Sequence, residues 1–307
     1  MSILVIGSFV MDLVTKTNKV PNEGETVLGL SFNQYPGGKG ANQAIQAARL
    51  GAKVYMSGCL GFDDFGKQFL SILKKENINS DFVYQSDKAS TGTGSITLDS
   101  EGQNRIIVVP GANHEYQSDY VDGLSKVMDD VNIIMAQLEL RLDVIESVAN
   151  LAARYNKVFI LNPTPACKLS DSILSKVTYL TPNETELEIL TNLKNLDTIE
   201  AKIKACQLLL KKGVKNVIVT LGSDGALLVN ENQIEHVKGF KVKAIDTVAA
   251  GDSFNGAIAY MLEQSKSILE SIKFANAVGA ITVTKQGAIP SLPNLDEVNY
   301  FILINNK

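Results

Sequence analysis

The sequence predicts an α/β protein with a mainly parallel sheet sandwiched by helices and a small β-strand lid. Three observations lead to this fold class. Strand-like apolar runs alternate with segments of helical periodicity, and two segments of hairpin character interrupt that alternation. The composition, 45% hydrophobic and 20% charged, is that of an ordinary globular chain. The length of 307 residues suits one domain, and we expect a single domain over 1–307.

Six apolar runs are expected to form the strands of the main sheet. Strands that are buried on both faces need apolar residues at consecutive positions, and these runs provide them. They are ILVIGSF (3–9), KVYMSGCLG (53–61), NIIMAQLEL (132–140), KVFILNP (157–163), VTYLTPN (177–183) and NVIVTLG (216–222).

Helical periodicity marks the segments between these strands. One predicted helix has Ala41, Ala44, Ile45 and Ala48 on one face, a second has Phe65, Phe69, Ile72 and Leu73, and four more span 143–154, 185–193, 198–212 and 253–263. Alternating strands and helices imply parallel strands joined by right-handed crossovers.

Two segments, 13–36 and 91–109, read as hairpins because residue alternation is combined with turn signals such as Pro-Asn-Glu-Gly and Asp-Ser-Glu-Gly. They cannot continue the strand–helix alternation, so we expect them to form a lid that projects from the main domain. Apolar positions in the first hairpin would need cover from the mouth of the sheet or from a second chain. These positions are Val27, Leu28, Leu30 and Phe32.

Charge, cysteine content and hydropathy argue against several classes of protein. The net charge of −4 argues against broad nucleic-acid binding, which usually needs a basic face. Three separated cysteines without a CxxC pair argue against a zinc site and indicate a reducing compartment, so we expect a cytoplasmic protein. No apolar stretch approaches the length of a membrane span, and MSILVIGSF lacks the basic start of a signal peptide.

Polar residues follow several of the predicted strands. They are Asp12, Glu139, Asn183, Gly222 and Asp252. Ligands of open parallel sheets bind beyond the carboxyl ends of the strands, so these residues are expected to converge at one edge. Taken singly, Asp12 and Glu139 could equally be capping or solvated residues.

The stretch GGKGAN (37–42) opens a predicted helix. Its glycines allow the backbone to approach a ligand closely, and Lys39 and Asn42 offer hydrogen-bond donors. The alternative is a flexible turn with a surface lysine. The stretch is not a Walker A loop, because Gly40 stands where Ser or Thr would be needed. It is not GxGxxG either, which argues against a nicotinamide dehydrogenase.

The stretch AAGD (249–252) gives the stronger signal, because it stands at the start of a helix. The N–H groups of Ala250 and Gly251 could point at a transferring phosphoryl group. Asp252 could accept a proton from the attacking alcohol. The alternative is that Asp252 only caps the helix.

Three further stretches carry weaker signals. In PNETE (182–186), Asn183 and Glu186 could hold a hydrated magnesium ion, or the stretch could simply complement the helix dipole. TLGSDG (220–225) could seat nucleotide phosphates, although a hairpin turn fits equally well. Asp246 and the loop 282–291 could bind a monovalent cation, although most loops have no such role.

Together these motifs resemble those of the PfkB-type carbohydrate kinases. The likeness rests on GGKGANQAIQAARLGA, PNETE, TLGSDG and DTVAAGDSFNGA, which occur in this order and cover nearly the whole chain. AQLE (136–139), NPTPA (162–166) and QGAIPS (286–291) are similar to the ribokinase group in particular.

The resemblance implies a ribokinase-like fold and ATP-dependent phosphorylation of the 5-hydroxyl of a pentose. Asp252 would be the catalytic base, with an anion hole made by Ala249, Ala250 and Gly251. The positions that match sugar contacts are Val10, Met11, Asp12, Gly38, Lys39, Gly40, Ala41, Asn42, Glu139 and Asp252. Those that match nucleotide contacts are Asn183, Thr220, Leu221, Gly222, Ser223, Asp224, Gly225, Gly251 and Asn276.

The resemblance also implies two ions and a partner. Magnesium would accompany ATP near Asn183 and Glu186, through water. An activating potassium ion would lie among Asp246, Val248, Thr282, Lys285, Gly287 and Ser291. The lid would also act as the clasp of a homodimer.

The stretch GSFVMD departs from the ribokinase pattern G-S-x-N-x-D, because Val10 stands where an asparagine would contact the sugar. Valine forms no hydrogen bond, so one sugar hydroxyl would lose a partner, and an apolar wall tolerates an analogue without that hydroxyl. Deoxyribokinases similarly carry an apolar residue here. The sequence therefore leaves 2-deoxyribose as an alternative to ribose. A sugar sensor without catalysis is a further alternative, against which the intact base and anion-hole positions speak.

Overall fold

The computed structural model describes residues 2–305, which form a nine-stranded, mainly parallel sheet flanked by helices and a separate four-stranded sheet. The predicted fold class is therefore confirmed. The strands of the large sheet are β1 Ser2–Ile6, β4 Val54–Gly61, β5 Asn79–Ser86, β8 Val131–Gln137, β9 Val158–Asn162, β10 Tyr179–Leu180, β11 Asn216–Thr220, β12 Ala226–Asn230 and β13 Ile234–Val237. Those of the small sheet are β2 Val10–Thr17, β3 Gly29–Gly37, β6 Gly92–Leu98 and β7 Asn104–Val109.

The strand order of the large sheet is β13-β12-β11-β10-β9-β8-β1-β4-β5. The seven strands from β11 to β5 in this order are parallel, and β12 and β13 add an antiparallel hairpin at one edge. The chain winds from β1 towards β5 on one side and from β8 towards β13 on the other. The crevice between β1 and β8 is thus the point at which ligands of open α/β sheets bind.

The helices connect the strands and cover both faces of the large sheet. They are α1 Lys39–Arg49, α2 Asp64–Lys75, α3 Ser118–Asp122, α4 Leu142–Arg154, α5 Asp171–Leu174, α6 Glu184–Thr191, α7 Ile199–Lys211, α8 Ala250–Glu263, α9 Ile268–Thr282 and α10 Leu295–Asn305. Side chains alternate across the sheet: Leu4 and Ile6 of β1 pack into one hydrophobic core, and Ile3 and Val5 into the other. Among residues 2–305, no helix combines the length and apolarity that crossing a membrane requires.

The two segments that interrupt the strand–helix alternation make up the small sheet, in the order β3-β2-β6-β7. β2 and β3 form one antiparallel hairpin, β6 and β7 form the other, and β2 and β6 join the hairpins as parallel neighbours. One face of this sheet exposes large apolar side chains, of which Leu28 is 91% accessible and Ile107 is 68% accessible.

Some element boundaries differ from the sequence expectation. The run 177–183 yields only the two-residue strand β10, because Pro182 cannot donate to a ladder and Asn183 already caps α6. The helix expected over 253–263 begins at Ala250, so Asp252 lies inside its first turn. The helix α9 is missing from the predicted set, although Ser267 and Glu270 form a capping box at its start.

Candidate active site

Two cavities meet at the N-terminus of α8. We call one the polar cavity, about 400 Å³, because Asp12, Lys39, Asn42 and Asp252 line it. The other, the apolar cavity of about 380 Å³, is lined by residues that include Phe240. The two share the lining residues Thr220, Thr247, Ala250 and Gly251. A group bound at the start of α8 is therefore accessible from both sides.

The start of α8 is built by an unusual backbone conformation. Ala249 is the N-cap residue and has a left-handed φ of 61°, and its methyl side chain has no acceptor with which to cap the helix. The alternative role of Asp252 as the helix cap is excluded, because Asp252 lies in the first turn and its side chain accepts hydrogen bonds from α1. A Cβ built on Gly251 would have no atom within 4 Å, which leaves open space in front of the first helical N–H groups. The N–H of Ala250 donates to the Thr247 carbonyl at 3.3 Å.

Asp252 is 7% exposed, and both of its carboxylate oxygens accept hydrogen bonds from α1. Asn42 Nδ2 donates to Oδ2 at 2.8 Å, and Gln43 Nε2 donates to Oδ1 at 3.1 Å. Two amide donors hold the carboxylate in one orientation. The carboxylate is therefore fixed where the two cavities meet.

The polar cavity presents hydrogen-bond acceptors that have no partner within residues 2–305. Asn42 Oδ1 is buried without a hydrogen bond, because the amide nitrogen is committed to Asp252. Asp12 accepts no hydrogen bond from any described residue, and burial, with the nearby charge of Glu139, raises its pKa to about 6 while Lys39 opposes the shift. Buried acceptors without donors are costly. A ligand with several hydroxyl groups would satisfy them.

Four carboxylates surround the single ammonium group of the polar cavity. Burial alone would lower the pKa of Lys39, but Asp252, Glu139, Glu186 and Asp12 together raise it, so Lys39 is cationic. Glu139 follows β8, and its Oε2 accepts the backbone N–H of Lys39 at 3.0 Å and the hydroxyl of Ser8. Glu139 is thus a helix-terminal acceptor for α1 and a wall of the cavity at once.

Gly38 precedes α1 with a φ of 90°, and a Cβ there would lie 2.6 Å from the backbone nitrogen of Val10. Only glycine allows this close approach between α1 and the start of β2. Val10 itself is buried and lines the polar cavity. Ile96, Ile106 and Val108 of the small sheet also line it, so this sheet covers the cavity.

Asn183 and Glu186 form the capping box of α6. Asn183 Oδ1 accepts the N–H of Glu186, and Glu186 Oε2 accepts the N–H of Asn183, each at 2.8 Å. Thr164 Oγ1 donates to the second carboxylate oxygen of Glu186 at 2.5 Å. Both side chains also line the polar cavity, so they cap α6 and at the same time face the space where a ligand would bind.

The apolar cavity holds several of the residues predicted to contact nucleotide. Thr220, Gly222, Ser223, Gly225, Gly251 and Asn276 line it. Asn276 Nδ2 donates to the carbonyls of Val237 and Lys238, which joins α9 to the end of β13. Its other lining residues include Phe240, Val242, Ala244, Ala275 and Ala280. A flat apolar slot of this kind suits an aromatic base.

The segments 245–248 and 282–291 lie against each other. The N–H of Ile245 donates to the Val283 carbonyl at 2.7 Å, and Asp246 Oδ2 accepts the N–H of Gly287 at 2.9 Å. Ser291 Oγ donates to the Ala288 carbonyl at 2.7 Å. Lys285 turns its ammonium to Glu297, at 2.6 Å, and so offers this loop only backbone groups.

Several sequence-predicted site residues do not reach a cavity. Met11 and Ala41 are fully buried in the hydrophobic core: Met11 alternates along β2 with Val10 and Asp12, and Ala41 is on the core-facing side of α1. Gly40 packs against β1 instead, since a Cβ there would lie 2.5 Å from the backbone nitrogen of Ser8. Asn183 lines the polar cavity and not the apolar one. Leu221 and Asp224 are absent from the walls of both cavities, because the 3₁₀ turn that starts at Gly222 points them away.

Sequence reasoning missed other residues of the site. Gln43, Gln137 and Asn162 form a buried amide chain behind Asp252, and Thr164 and Asn255 line the polar cavity. In the sequence, the stretch NPTPA, which contains Asn162 and Thr164, indicates only the likeness to the ribokinase group. Their position at the end of β9 follows the same strand-end rule that located Glu139, and that rule could have found them.

Fold and site together define an ATP-using kinase of small hydroxylated acceptors. A carboxylate and the first N–H groups of α8 lie between a polar cavity with unpartnered acceptors and an apolar cavity, an arrangement suited to phosphoryl transfer. The chain belongs to the pfkB family carbohydrate kinases, whose family model matches residues 1–295. It is accordingly a kinase that transfers phosphate to a sugar hydroxyl.

Known proteins similar to this chain agree with the family. A ribokinase of Schizosaccharomyces pombe is 39% identical, over 97% of this chain and 96% of the relative. A deoxyribokinase of Salmonella typhi is 36% identical, over 99% of this chain and all of the relative. The solved structure of Arabidopsis thaliana ribokinase complexed with ribose and ATP has a TM-score of 0.92 at 31% identity, and covers 98% of each chain.

Replacing Asp12 should stabilise the unliganded protein. A carboxyl whose pKa is raised from 3.8 to about 6 on folding lowers stability as pH rises through this window. Asp12→Asn should therefore raise the free energy of unfolding at pH 7.5 by about 1 to 3 kcal/mol, and the gain should shrink as pH falls from 7 to 5. Urea denaturation at several pH values measures this.

The matched control is Asp87→Asn, which removes the same charge at an exposed position. It should leave the unfolding free energy within about 0.5 kcal/mol of the parent. An Asp12→Asn variant that is less stable than the parent at pH 7.5 would contradict the raised pKa.

Proposed function

We propose that this protein phosphorylates the 5-hydroxyl of D-ribose with ATP to give ribose 5-phosphate. The observation that carries the proposal is the pair of unpartnered acceptors, Asp12 and Asn42 Oδ1, beside the fixed carboxylate of Asp252. A pentose offers hydroxyl donors to the first two and a reacting hydroxyl to the third. The similarity to ribokinases supports this choice of sugar.

The proposed mechanism is an in-line transfer. An Asp252 carboxylate oxygen takes the proton of the 5-hydroxyl while the hydroxyl oxygen attacks the γ-phosphorus of ATP. The new oxygen–phosphorus bond forms as the bond from that phosphorus to the β–γ bridging oxygen breaks, and ADP leaves with the bond's electrons. The backbone N–H groups of Ala249 and Gly251 would stabilise the charge on the transferred group, and that of Ala250 would join them by sharing its proton with the Thr247 carbonyl, 3.3 Å away. Asp252 then releases its proton to solvent.

A magnesium ion fits the polar cavity as a partner of the ATP phosphates. Four carboxylates and one lysine give this cavity a negative character that would repel an uncompensated polyphosphate. Glu186 and Asn183 already use their oxygens in the capping box, so we propose that they contact the ion through its water molecules. When bound, the ion supplies charge neutralisation of the phosphates.

We further propose that the paired segments 245–248 and 282–291 bind an activating potassium ion. Backbone carbonyls and the Asp246 carboxylate are hard oxygen donors, and the candidate residues Val248, Thr282, Gly287 and Ser291 lie on these two segments. The ion would stabilise the loop that leads into α8 and hence the anion hole. Assays with sodium in place of potassium, which should lower kcat, test this role.

A second proposal concerns quaternary structure and location. The exposed apolar face of the small sheet, with Leu28, Leu30 and Phe32, would be covered by the same face of a second copy in a homodimer. Sedimentation velocity measures the oligomeric state directly.

The ATP requirement and the free thiols of Cys59, Cys167 and Cys206 support a cytoplasmic setting.

2-Deoxy-D-ribose is the alternative acceptor, and one observation favours it. Val10 lines the polar cavity beside Asp12 with a side chain that forms no hydrogen bond. A sugar hydroxyl facing Val10 would be desolvated without a partner, whereas a deoxy position would pack against it. The similarity to a deoxyribokinase supports the same alternative.

The role of Asp252 is tested by Asp252→Asn. Loss of the base should lower kcat by about 10²- to 10⁴-fold, while the KM for ribose stays within a few-fold because the hydroxyl-binding residues remain. Steady-state kinetics with a coupled ADP assay measures both, and a thermal melt checks the fold. A variant with kcat within tenfold of the parent would defeat the assignment.

The identity of the sugar is tested by Val10→Asn. The new amide should improve kcat/KM for ribose relative to 2-deoxyribose by about tenfold, the size of one hydrogen bond. Val10→Ala is the control, because it enlarges the cavity without adding a donor and should leave the ratio near that of the parent. An unchanged ratio in both variants would show that Val10 does not face the discriminating hydroxyl.

A further inference from the structure

Gln43 lies directly behind the carboxylate of Asp252. It is fully buried and lines neither cavity, in contrast to its neighbour Asn42, which lines the polar cavity. Its Nε2 donates to Asp252 Oδ1 at 3.1 Å and to Asn162 Oδ1 at 3.1 Å. Gln43 therefore contacts the carboxylate from the protein side, where no ligand can reach.

The chemistry of the partners determines which group donates and which accepts in each hydrogen bond of this buried amide chain. The Thr181 carbonyl can only accept, so Asn162 must present Nδ2 to it, at 3.2 Å, and Oδ1 to Gln43. Gln43 must then present its nitrogen to Asn162 and Asp252. Its Oε1 faces Gln137, whose Nε2 donates to it at 2.7 Å. Turning either glutamine amide around would set oxygen against oxygen.

The same chain continues to the other side of the site. Asn162 Nδ2 also donates to Thr164 Oγ1 at 3.1 Å, and Thr164 Oγ1 donates to Glu186 Oε1 at 2.5 Å. Asp252 and Glu186 are thus joined by buried side chains from α1 and from the end of β9. The position of one carboxylate is tied to that of the other.

We propose that Gln43 is the positioning residue of Asp252, and that Gln137 holds Gln43 in the orientation that this role requires. The inference rests on the proposed role of Asp252 as the base. Asn42 contacts Asp252 and also lines the polar cavity, whereas Gln43 contacts Asp252 and other buried side chains but lines neither cavity. Loss of Gln43 should therefore affect the transfer step and leave sugar binding intact.

The first test is Gln43→Met, which keeps the length of the side chain and removes both donors. A carboxylate freed to rotate should lower kcat by about 10- to 100-fold, with the KM for ribose within threefold of the parent. Equilibrium ribose binding, measured by calorimetry without ATP, should be unchanged. A purely structural role for Gln43 would not separate kcat from KM in this way.

The matched control is Gln46→Met. Gln46 is on the same helix and is equally buried, but its Nε2 donates to the Pro293 carbonyl at 2.9 Å and not to Asp252. This variant loses one buried hydrogen bond, whereas Gln43→Met loses three, so its melting temperature should fall by a smaller amount. Its kcat should stay within threefold of the parent. Equal losses of kcat in the two variants would overturn the inference.

A double-mutant cycle separates direct from indirect action. Gln137→Met should lower kcat several-fold, because Gln43 Oε1 loses its donor and the side chain is then held less firmly against Asp252. The double variant should have the kcat of Gln43→Met alone, since Gln137 acts only through Gln43. If the kcat losses of the two single variants multiply in the double variant, Gln137 does not act through Gln43, and this part of the inference is overturned. If Gln43→Met does not fold, the Gln137→Met variant provides the test. An unchanged kcat of that variant refutes the inference, and a lower kcat at an unchanged KM for ribose supports it.

Failure of the inference is distinguishable from failure of the proposed function. If Asp252→Asn loses turnover and Gln43→Met does not, then Asp252 is the base and Gln43 merely packs behind it. If neither variant loses turnover, the base is not Asp252 and the positioning role of Gln43 is refuted with it.

Discussion

The close packing of α1 against α8 is the constraint on which the site depends. Gly256 of α8 makes it possible, because a Cβ there would lie 2.8 Å from the Gln43 carbonyl oxygen. At this separation the side chains of Asn42 and Gln43 reach both oxygens of Asp252. A bulkier residue in place of Gly256 would part the helices and leave a buried carboxylate without donors, at a cost of a few kcal/mol. The contact that packs α1 against α8 is therefore also the contact that fixes the carboxylate of Asp252.

The small sheet is joined to the main domain by one buried side chain. Asn113 Oδ1 accepts the N–H of Phe9, and Asn113 Nδ2 donates to the carbonyls of Phe9 and Pro110. Phe9 precedes the first hairpin and Pro110 follows the second, so a single amide fixes both junctions. The large sheet and its helices therefore position Asp252, the proposed base, and the small sheet contributes Val10, Asp12 and the apolar cover of the polar cavity.

Sequence reasoning located the site where chemistry and topology coincide. Glu139 was found because strand ends of a parallel sheet share one edge, whereas Asp12, expected at the end of the first strand, lies inside β2 of the small sheet. Gln43 was missed because its role depends on α8, which is more than 200 residues away in the sequence. α9 was missed because it is apolar around most of its surface, so no single-face periodicity distinguishes it. The sequence left a capping role for Asp252 open because the left-handed conformation of Ala249, the actual N-cap residue, has no signature in composition.

The unliganded site carries polar groups that the protein alone does not satisfy. Asn42 Oδ1 and Gln137 Oε1 are buried without partners, and the raised pKa of Asp12 reflects a carboxylate that burial disfavours. Local rules of stability are thus broken where a hydroxylated ligand would supply the missing donors. Gln137 Oε1 faces β1 and lies 2.3 Å from where a Cβ on Gly7 would be, so its cost is not relieved by a ligand in the polar cavity. Keeping Gln137 despite this cost is understandable if its nitrogen is needed to orient Gln43 towards Asp252.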